Sequence, residues 1–445
     1  MDKLVVRGGN PLTGPLTVSG SKNTALPLMS AALLTDGPVS LTNIPDLKDI
    51  HTFRRVIEVT GTEVEHLPHE HRMTLNAGTL DRAEAPYELV KRMRASFYML
   101  GALLGRMGKA RVSLPGGCAW GPRPVDLHIE GMKALGATID LDQGYVVASA
   151  PSGRLDGGRF TLEPSSVGAT INIALAASLA RGGSVIENAA IEPDVVHFCE
   201  MLQAMGAKLD GIGTRTLEIQ GVDSLSPVDF QNCPDRIELG TYMIAAAISG
   251  IPGKPVDLIG GRADHLGDAF LDAFRRTGTG VEILHDRIRV TPPEELRPVS
   301  VRTEIYPGFP TDLQAQWTIL MARCAGNSKV HESVYPDRFK HIPELQRMGV
   351  NAIIVGDEVM IEGGKSIQGT NVMSTDLRAS VSLVLAGMVA EGETHVLRVY
   401  HLDRGYERLE EKLSAAGVDI ERVRYDEWAD PNRDQIQNQN PRIGP

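Results

Sequence analysis

Lys22, Arg94 and Arg378 stand where cations are electrostatically out of place. Each opens an apolar helical run, in SGSKN from Ser19, MRAS from Met93 and STDLRAS from Ser374. A helix N-terminus already gathers partial positive charge and free N–H groups, so a cation there costs stability unless an anion lies between. That local conflict reads as an anion-binding constellation. Ser21, Ser166 and Thr375 sit where they would cap their helices, a role compatible with touching a ligand. Asp312 and Asp376 fall at two of these starts, in FPTDLQAQ and STDLRAS, where a carboxylate acts as a cap or as a proton acceptor. Cys118 lies within SLPGGCAWGPRPVDLHIEG, a Gly- and Pro-rich stretch carrying Arg123 and His128, with Arg111 just upstream. Nearby cations favour thiolate and a loop can carry a thiol to a cleft, so Cys118 is the candidate reactive group. Cys199 and Cys324 sit in apolar helical patterns and read as packing residues, and Cys233, just before Pro234, is given no role.

The elements that must position these residues repeat six times. Glycines recur at Gly61, Gly136, Gly206, Gly278, Gly349 and Gly417, separated by 75, 70, 72, 71 and 68 residues, each closing an amphipathic run before a strand-like stretch such as ALGATID. A second series, Gly37, Gly108, Gly182, Gly253, Gly326 and Gly392, follows six Ala-rich runs that are apolar on every side. The chain is therefore six copies of a unit of about 70 residues. Each has a buried helix, a strand, a second helix with one charged face (RGYERLEEKLSAAG in the last) and a hairpin. The sixth unit stops after one closing strand, and the chain opens with two unpaired ones, LVVRGG and GPLTVSG, which read as the missing half of that hairpin. Two three-unit domains are expected: 22–231, and 1–21 with 232–424. The Asp-, Asn-, Gln- and Pro-rich tail 425–445 is expected to be disordered.

Composition narrows the class. The 445 residues are 42% hydrophobic and 23% charged, near globular averages. A net charge of −11 argues against a nucleic-acid partner. No apolar stretch is long enough to insert across a membrane and no signal-like start is present, so a cytoplasmic α/β protein is expected. Four cysteines without paired spacing suggest reduced thiols and no zinc site.

SGSKNTALPL from Ser19, MRAS, LPGGC from Leu114, RPVDLH from Arg123, SVGAT from Ser166, PDRIE from Pro234, FPTDLQAQ from Phe309, TDLRAS from Thr375 and DRGYERLEEKL from Asp403 resemble, in order and up to about residue 424, the enolpyruvyl transferases. Among these they resemble the UDP-N-acetylglucosamine 1-carboxyvinyltransferases of peptidoglycan precursor synthesis. The resemblance implies an α/β fold of two inside-out barrels and transfer of an enolpyruvyl group from phosphoenolpyruvate to the sugar 3′-hydroxyl, with no cofactor and no metal. It makes Cys118 the proton donor, able to form a covalent adduct with phosphoenolpyruvate and to be alkylated by the epoxide fosfomycin. Asp312 becomes a base near the 3′-hydroxyl and Asp376 a second carboxylate. It places Lys22, Arg123 and Arg404 on the phosphate and carboxylate of phosphoenolpyruvate, with Asn23 beside the lysine and Arg338 and Arg378 around the same end. It places Arg94, Arg123, Pro124, Val125, Asp126, Leu127, Ser166, Val167, Gly168 and Val334 around the nucleotide sugar. Pro164 and Ser165 stand where some members carry a lysine, Trp120 where a smaller aliphatic residue is common, and Ile191 where a charged one is. A shikimate-pathway sister enzyme would lack the LPGGC loop. An RNA 3′-phosphate cyclase fits the acidic charge poorly, and a non-catalytic scaffold would be expected to lose Cys118, Asp312 or the arginines.

Overall fold

The structure, a computed structural model, describes residues 1–91, 93–115, 125–336 and 338–425. The six apolar runs form six core helices: Lys22–Ala31, Met99–Met107, Val167–Ala177, Arg236–Ser249, Gln314–Arg323 and Leu377–Met388. Their lack of a polar stripe has a direct cause. In the fourth, every residue from Ile237 to Ile248 is buried, so no face needs to meet water. Small residues set the helix spacing: a Cβ on Gly101 would lie 2.1 Å from the carbonyl oxygen of Asn172, so the second and third core helices touch backbone to backbone.

Each core helix feeds a strand, a second helix and one of the six periodic glycines, all with φ between 85° and 105°. Only glycine enters that region freely, which fixes where the second helix ends and the hairpin begins. The result is six four-stranded mixed sheets. In the second unit the order is Glu84–Ala85, Lys109–Ser113, Tyr145–Ser149, Thr138–Asp142, with the first pair parallel and the others antiparallel. Asp229–Gln231 pairs in parallel with Pro38–Thr42, returning the third unit to the first. Buried apolar residues form two clusters, one drawn from 25–225 and the other from 4–18 and 237–420.

The N-terminus departs from expectation in one respect. Asp2–Arg7 does complete the sixth hairpin, with Leu4 opposite Arg422 of Asp419–Arg424 and opposite Val396 on its other side. Leu16–Thr17 does not join it; it pairs in parallel with Val256–Ile259 in the fourth sheet. Leu12, fully buried, donates its N–H to Ser249 O (3.0 Å) and draws the chain across to that unit. The last amphipathic run is also shorter than its pattern suggests. Helix forms only over Leu409–Ala415, because Glu407 is buried as an acceptor for Ser19 Oγ and the Asp46 N–H, and Arg408 turns to φ 44°.

The second three units copy the first three in detail. Core helices one, three, four and six are capped by Ser21, Ser166, Asp235 and Asp376. The second and fifth instead begin through 3₁₀ turns, Arg94–Tyr98 and Thr311–Leu313. Thr60 donates to Ile57 O and lies 2.9 Å from Thr62 Oγ1; Thr277 repeats this with Phe274 and Thr279 at the same distances. Two connections link the halves side by side, through Ser21 N to Cys233 O (2.7 Å) and Asp235 N to Ser19 O (2.8 Å).

Candidate active site

Two core-helix starts, those of Lys22 and Arg378, each meet a second cation from elsewhere in the chain around one carboxylate. Lys22, at the first turn of the first core helix, lies 3.2 Å from Asp49, and Arg404 reaches the same carboxylate through Nε at 2.9 Å. Asp49 comes from Lys48–Glu58 and is buried. Burial pushes its carboxyl up, yet Lys22 and Arg404 outweigh this and hold it below the usual range. Arg404 belongs to the sixth unit and Lys22 to the first, so this carboxylate ties the halves. Lys48 to Asp403 (3.0 Å) adds a second, exposed tie.

In the second pair Asp312 lies between Arg338 Nη2 (2.6 Å) and Arg378 Nη2 (2.9 Å). Both guanidiniums are nearly buried. Burial alone would raise the Asp312 carboxyl, but Arg378 and Arg338 hold it well below its usual range, and the Arg378 guanidinium is in turn held charged. The two carboxylates read from the sequence as cap or acceptor thus part company. Asp376 is a cap, its Oδ1 accepting from the N–H groups of Arg378 and Ala379 at 2.9 and 3.0 Å. Asp312 caps nothing; its turn has no side-chain cap and its oxygens face cations. Thr375, read as a cap, instead bonds Asp376 Oδ2. Phe309 packs edge-on to Trp317 at 5.1 Å and fixes the approach to this turn, with the Trp317 indole donating to Val299 O.

A third group gathers at the start of the third core helix. Ser166 caps it through Ala169 N (3.3 Å), leaving the Val167 and Gly168 N–H groups without intrahelical partners. Asn172 Nδ2 donates to Phe97 O and to His128 Nδ1, both 2.9 Å, so the His128 proton sits on Nε2, which is buried without a partner. Burial, with Arg94 nearby, pushes His128 down to about 3, and it is neutral at working pH. A Cβ on Gly168 would lie 3.1 Å from the imidazole, so the ring and this turn are in contact. Val125, nearly buried, precedes the helix Asp126–Ala134, on whose first turn Asp126 and Leu127 stand. Ser165 Oγ accepts from Arg215 (3.1 Å), which brings a cation to the place where the sequence lacks a lysine.

Cys118, Arg123 and Pro124, with Trp120, lie outside the described residues, as does most of the tail from 426. Cys199, Cys233 and Cys324 are buried, and burial pushes each thiol up to about 12. Asn23 follows Lys22 in the first core helix.

Three carboxylates escaped the sequence reading. Asp49 is one. Asp194 is another: buried, it accepts from Ser21 and Thr24 and pairs at 3.2 Å with Arg236 of the fourth unit. Glu332 is the third, gathering Thr303, Thr311 and the N–H groups of Val334 and Tyr335 at 2.8–2.9 Å, while Thr311 accepts from Arg338. It thereby positions Val334 and Arg338 together. Among the described residues, no group of His, Cys, Asp and Glu is arranged to hold a metal, and no helix is long and apolar enough to cross a membrane.

Comparison with known proteins gives one family. A profile described as EPSP synthase (3-phosphoshikimate 1-carboxyvinyltransferase) matches residues 6–413. The UDP-N-acetylglucosamine 1-carboxyvinyltransferase of Chlorobaculum parvum is 51% identical over 430 residues, covering 96% of this chain and all of that one. That of Rhodospirillum centenum is 48% identical over 439 residues, 95% and 99%. Among solved structures, the enolpyruvyl transferase NikO of Streptomyces tendae superposes with a TM-score of 0.86 at 28% identity, covering 95% and 99%. EPSP synthase of Acinetobacter baumannii shares the fold, with a TM-score of 0.75 at 19% identity over 95% and 100%.

Proposed function

The chain belongs to the enolpyruvyl transferase family, and on that footing we propose that it moves the enolpyruvyl group of phosphoenolpyruvate to the 3′-hydroxyl of UDP-N-acetylglucosamine, releasing phosphate. The relatives at about half identity over nearly the whole chain carry that name, and the acceptor is read from them. It would supply a peptidoglycan precursor in the cytoplasm.

The chemistry requires a proton on the vinyl methylene, attack of a hydroxyl on the resulting cationic carbon, and later loss of phosphate from the tetrahedral adduct. Two anionic substrates must be held against mutual repulsion throughout. The observation that carries the reading is the pair of carboxylate-held cation clusters, Lys22 with Arg404 and Arg378 with Arg338. Lys22 and Arg404 come from opposite halves, so an anion bound by both would tie the halves together while neutralising charge. Phosphoenolpyruvate presents two anionic groups of the kind that guanidinium forks grip.

Asp312 is our candidate base for the 3′-hydroxyl. Held ionised between Arg378 and Arg338, it is a poor proton acceptor before substrate arrives. An anionic substrate that engages these guanidiniums weakens their hold, and the proton affinity of Asp312 rises at the moment a hydroxyl reaches it. Cys118 is our candidate for the proton donor to the methylene. The diphosphate of the nucleotide sugar would lie against the third core helix, where the free Val167 and Gly168 N–H groups and the unpartnered His128 Nε2–H converge as neutral donors.

Phosphate release from phosphoenolpyruvate, measured with each acceptor separately, tests the assignment. Turnover is expected with UDP-N-acetylglucosamine and not with shikimate 3-phosphate. No turnover with the nucleotide sugar, or equal turnover with shikimate 3-phosphate, would overturn it.

A further inference from the structure

The six-fold repeat supplies an internal control for each surface position, and one sheet breaks the pattern. The strand following each periodic glycine lies at the edge of its sheet, with no strand beyond it: Glu63–Leu67, Thr138–Asp142, Lys208–Asp210, Gly280–Ile283, Asn351–Val355 and Asp419–Arg424. Edge strands expose unpaired backbone groups, and proteins guard them with outward charges. Four residues after the glycine, five units place an exposed acid: Glu65, Asp140, Asp210, Glu282 and Glu421. The fifth unit places Ile353 there, 58% exposed, and two residues on places Val355, 60% exposed.

The neighbouring strand extends the patch. Met360 of Glu358–Gly363 stands opposite Ile353 and is 45% exposed. Ile354, on the other face, is 43% exposed. Asn351–Val355 packs mainly on that neighbouring strand and on its own unit's second helix, His341–Arg347. It carries no charged side chain.

We propose that this edge pairs antiparallel with the same edge of a second copy of the chain, about a twofold axis at Ile354. An antiparallel strand pair is self-complementary, so one patch serves both partners and the contact closes as a dimer. In that register Ile353 of each copy faces Val355 of the other and Ile354 faces itself, so the opposed side chains on both faces are apolar. The same register at the second unit would set Asp140 opposite Asp142, and at the sixth Arg422 opposite itself, where like charges repel. Charge therefore favours a second copy as the occupant: of the six edge strands this alone carries no charged side chain, so its own copy meets apolar residues and no ion is buried. A five-residue edge buries less than the roughly 1,200 Å² of a standard interface, so association is weak and appears only at tens to hundreds of micromolar.

Sedimentation of the full chain across roughly 1–300 µM tests this. Weight-average mass should rise from 48.1 kDa toward twice that value for wild type. Ile353→Glu, which restores the residue type of the other five units, should stay at one-fold mass across the range with unchanged turnover. Wild type that remains monomeric throughout, or Ile353→Glu that associates equally, overturns the proposal. Geometry is checked by oxidation at high concentration. Ile354→Cys should cross-link, because paired Cα atoms in an antiparallel ladder lie about 4.5–5.5 Å apart, within disulfide reach. Met360→Cys, one strand farther out on each side, should cross-link no more than wild type treated alike. Cross-linking by Met360→Cys without Ile354→Cys would mean stacked faces, and the edge pairing would be wrong.

Discussion

Asp312→Asn separates two consequences of one carboxylate. The amide keeps the shape and one acceptor but cannot take a proton, so loss of general-base action should lower kcat by about a hundredfold or more, roughly 2.7 kcal/mol. The same change removes the Asp312 charge from beside Arg338 and Arg378, whose side chains are 11% and 9% exposed. Breaking a buried pair costs about 3–5 kcal/mol, and the remaining amide acceptor favours the low end. At about 2–4 °C per kcal/mol for a body of this size, Tm of the ligand-free variant should fall by about 6–12 °C. Phosphoenolpyruvate should restore more Tm in the variant than in wild type, since it meets two guanidiniums relieved of the Asp312 charge, and its KM should hold or fall while kcat collapses. Initial-rate phosphate release and calorimetry with and without the donor give all three quantities. In wild type the acid limb of kcat/KM should lie below the usual carboxylate range, because Arg378 and Arg338 hold Asp312 down, and the acid limb of kcat should lie higher once substrate engages them. Near-normal kcat in the variant would remove Asp312 as base and shift attention to Asp376. Coincident acid limbs in wild type would remove the release step.

Other expectations follow from the family and from the described geometry. Fosfomycin should inactivate wild type through an adduct on Cys118, most readily with nucleotide sugar present; Cys118→Asp should keep activity and escape, and Cys118→Ala should lose both. Mass spectrometry placing the adduct on Cys199, Cys233 or Cys324 would refute this, and their burial predicts otherwise. Asp49 has a depressed carboxyl, so its stabilisation is complete above the unfolded carboxylate pKa of about 4 and is lost as pH falls through the lower folded value. Melts from pH 3 to 7 should therefore show a shallower acid fall in Asp49→Asn; equal slopes would mean that the carboxylate does not couple to folding. Gly168→Ala drives a methyl against His128 and should raise KM for the nucleotide sugar several-fold while that for phosphoenolpyruvate holds, so equal rises in both would contradict the subsite. Saturating nucleotide sugar should compact the protein in X-ray scattering, and an unchanged radius of gyration would exclude closure.

The cations of the candidate site were legible in the sequence because they violate a local rule: Lys22 and Arg378 open helices whose dipoles oppose them. Two of the carboxylates around them were not. Asp49 looks like an ordinary first-turn acid in an amphipathic helix, and its partner Arg404 lies 355 residues away. Glu332 follows a strand as any solvated acid would, yet it is buried with four hydrogen-bond donors around it. The six units were legible because a left-handed turn needs glycine at each helix end, and that need prints a period on the chain. The path of Leu16–Thr17 was not, because two-residue parallel pairings leave no periodic trace. Asp312 and Asp376 looked alike in sequence, and only the direction of their oxygens distinguishes a cap from a charge held between guanidiniums.

The pairing of Asp2–Arg7 with Glu393–Leu397 and Asp419–Arg424 has a consequence for the order in which the protein is made. Asp2–Arg7 leaves the ribosome nearly four hundred residues ahead of either partner, and loop closure over that length is entropically slow. The three units from the first to the third core helix find every sheet partner within residues 38–231 and can settle while synthesis continues. The other three must keep a sheet open until Asp419–Arg424 has been made. A pulse-labelled nascent chain should accordingly gain protease resistance in two steps, with the N-terminal strand protected only in the second.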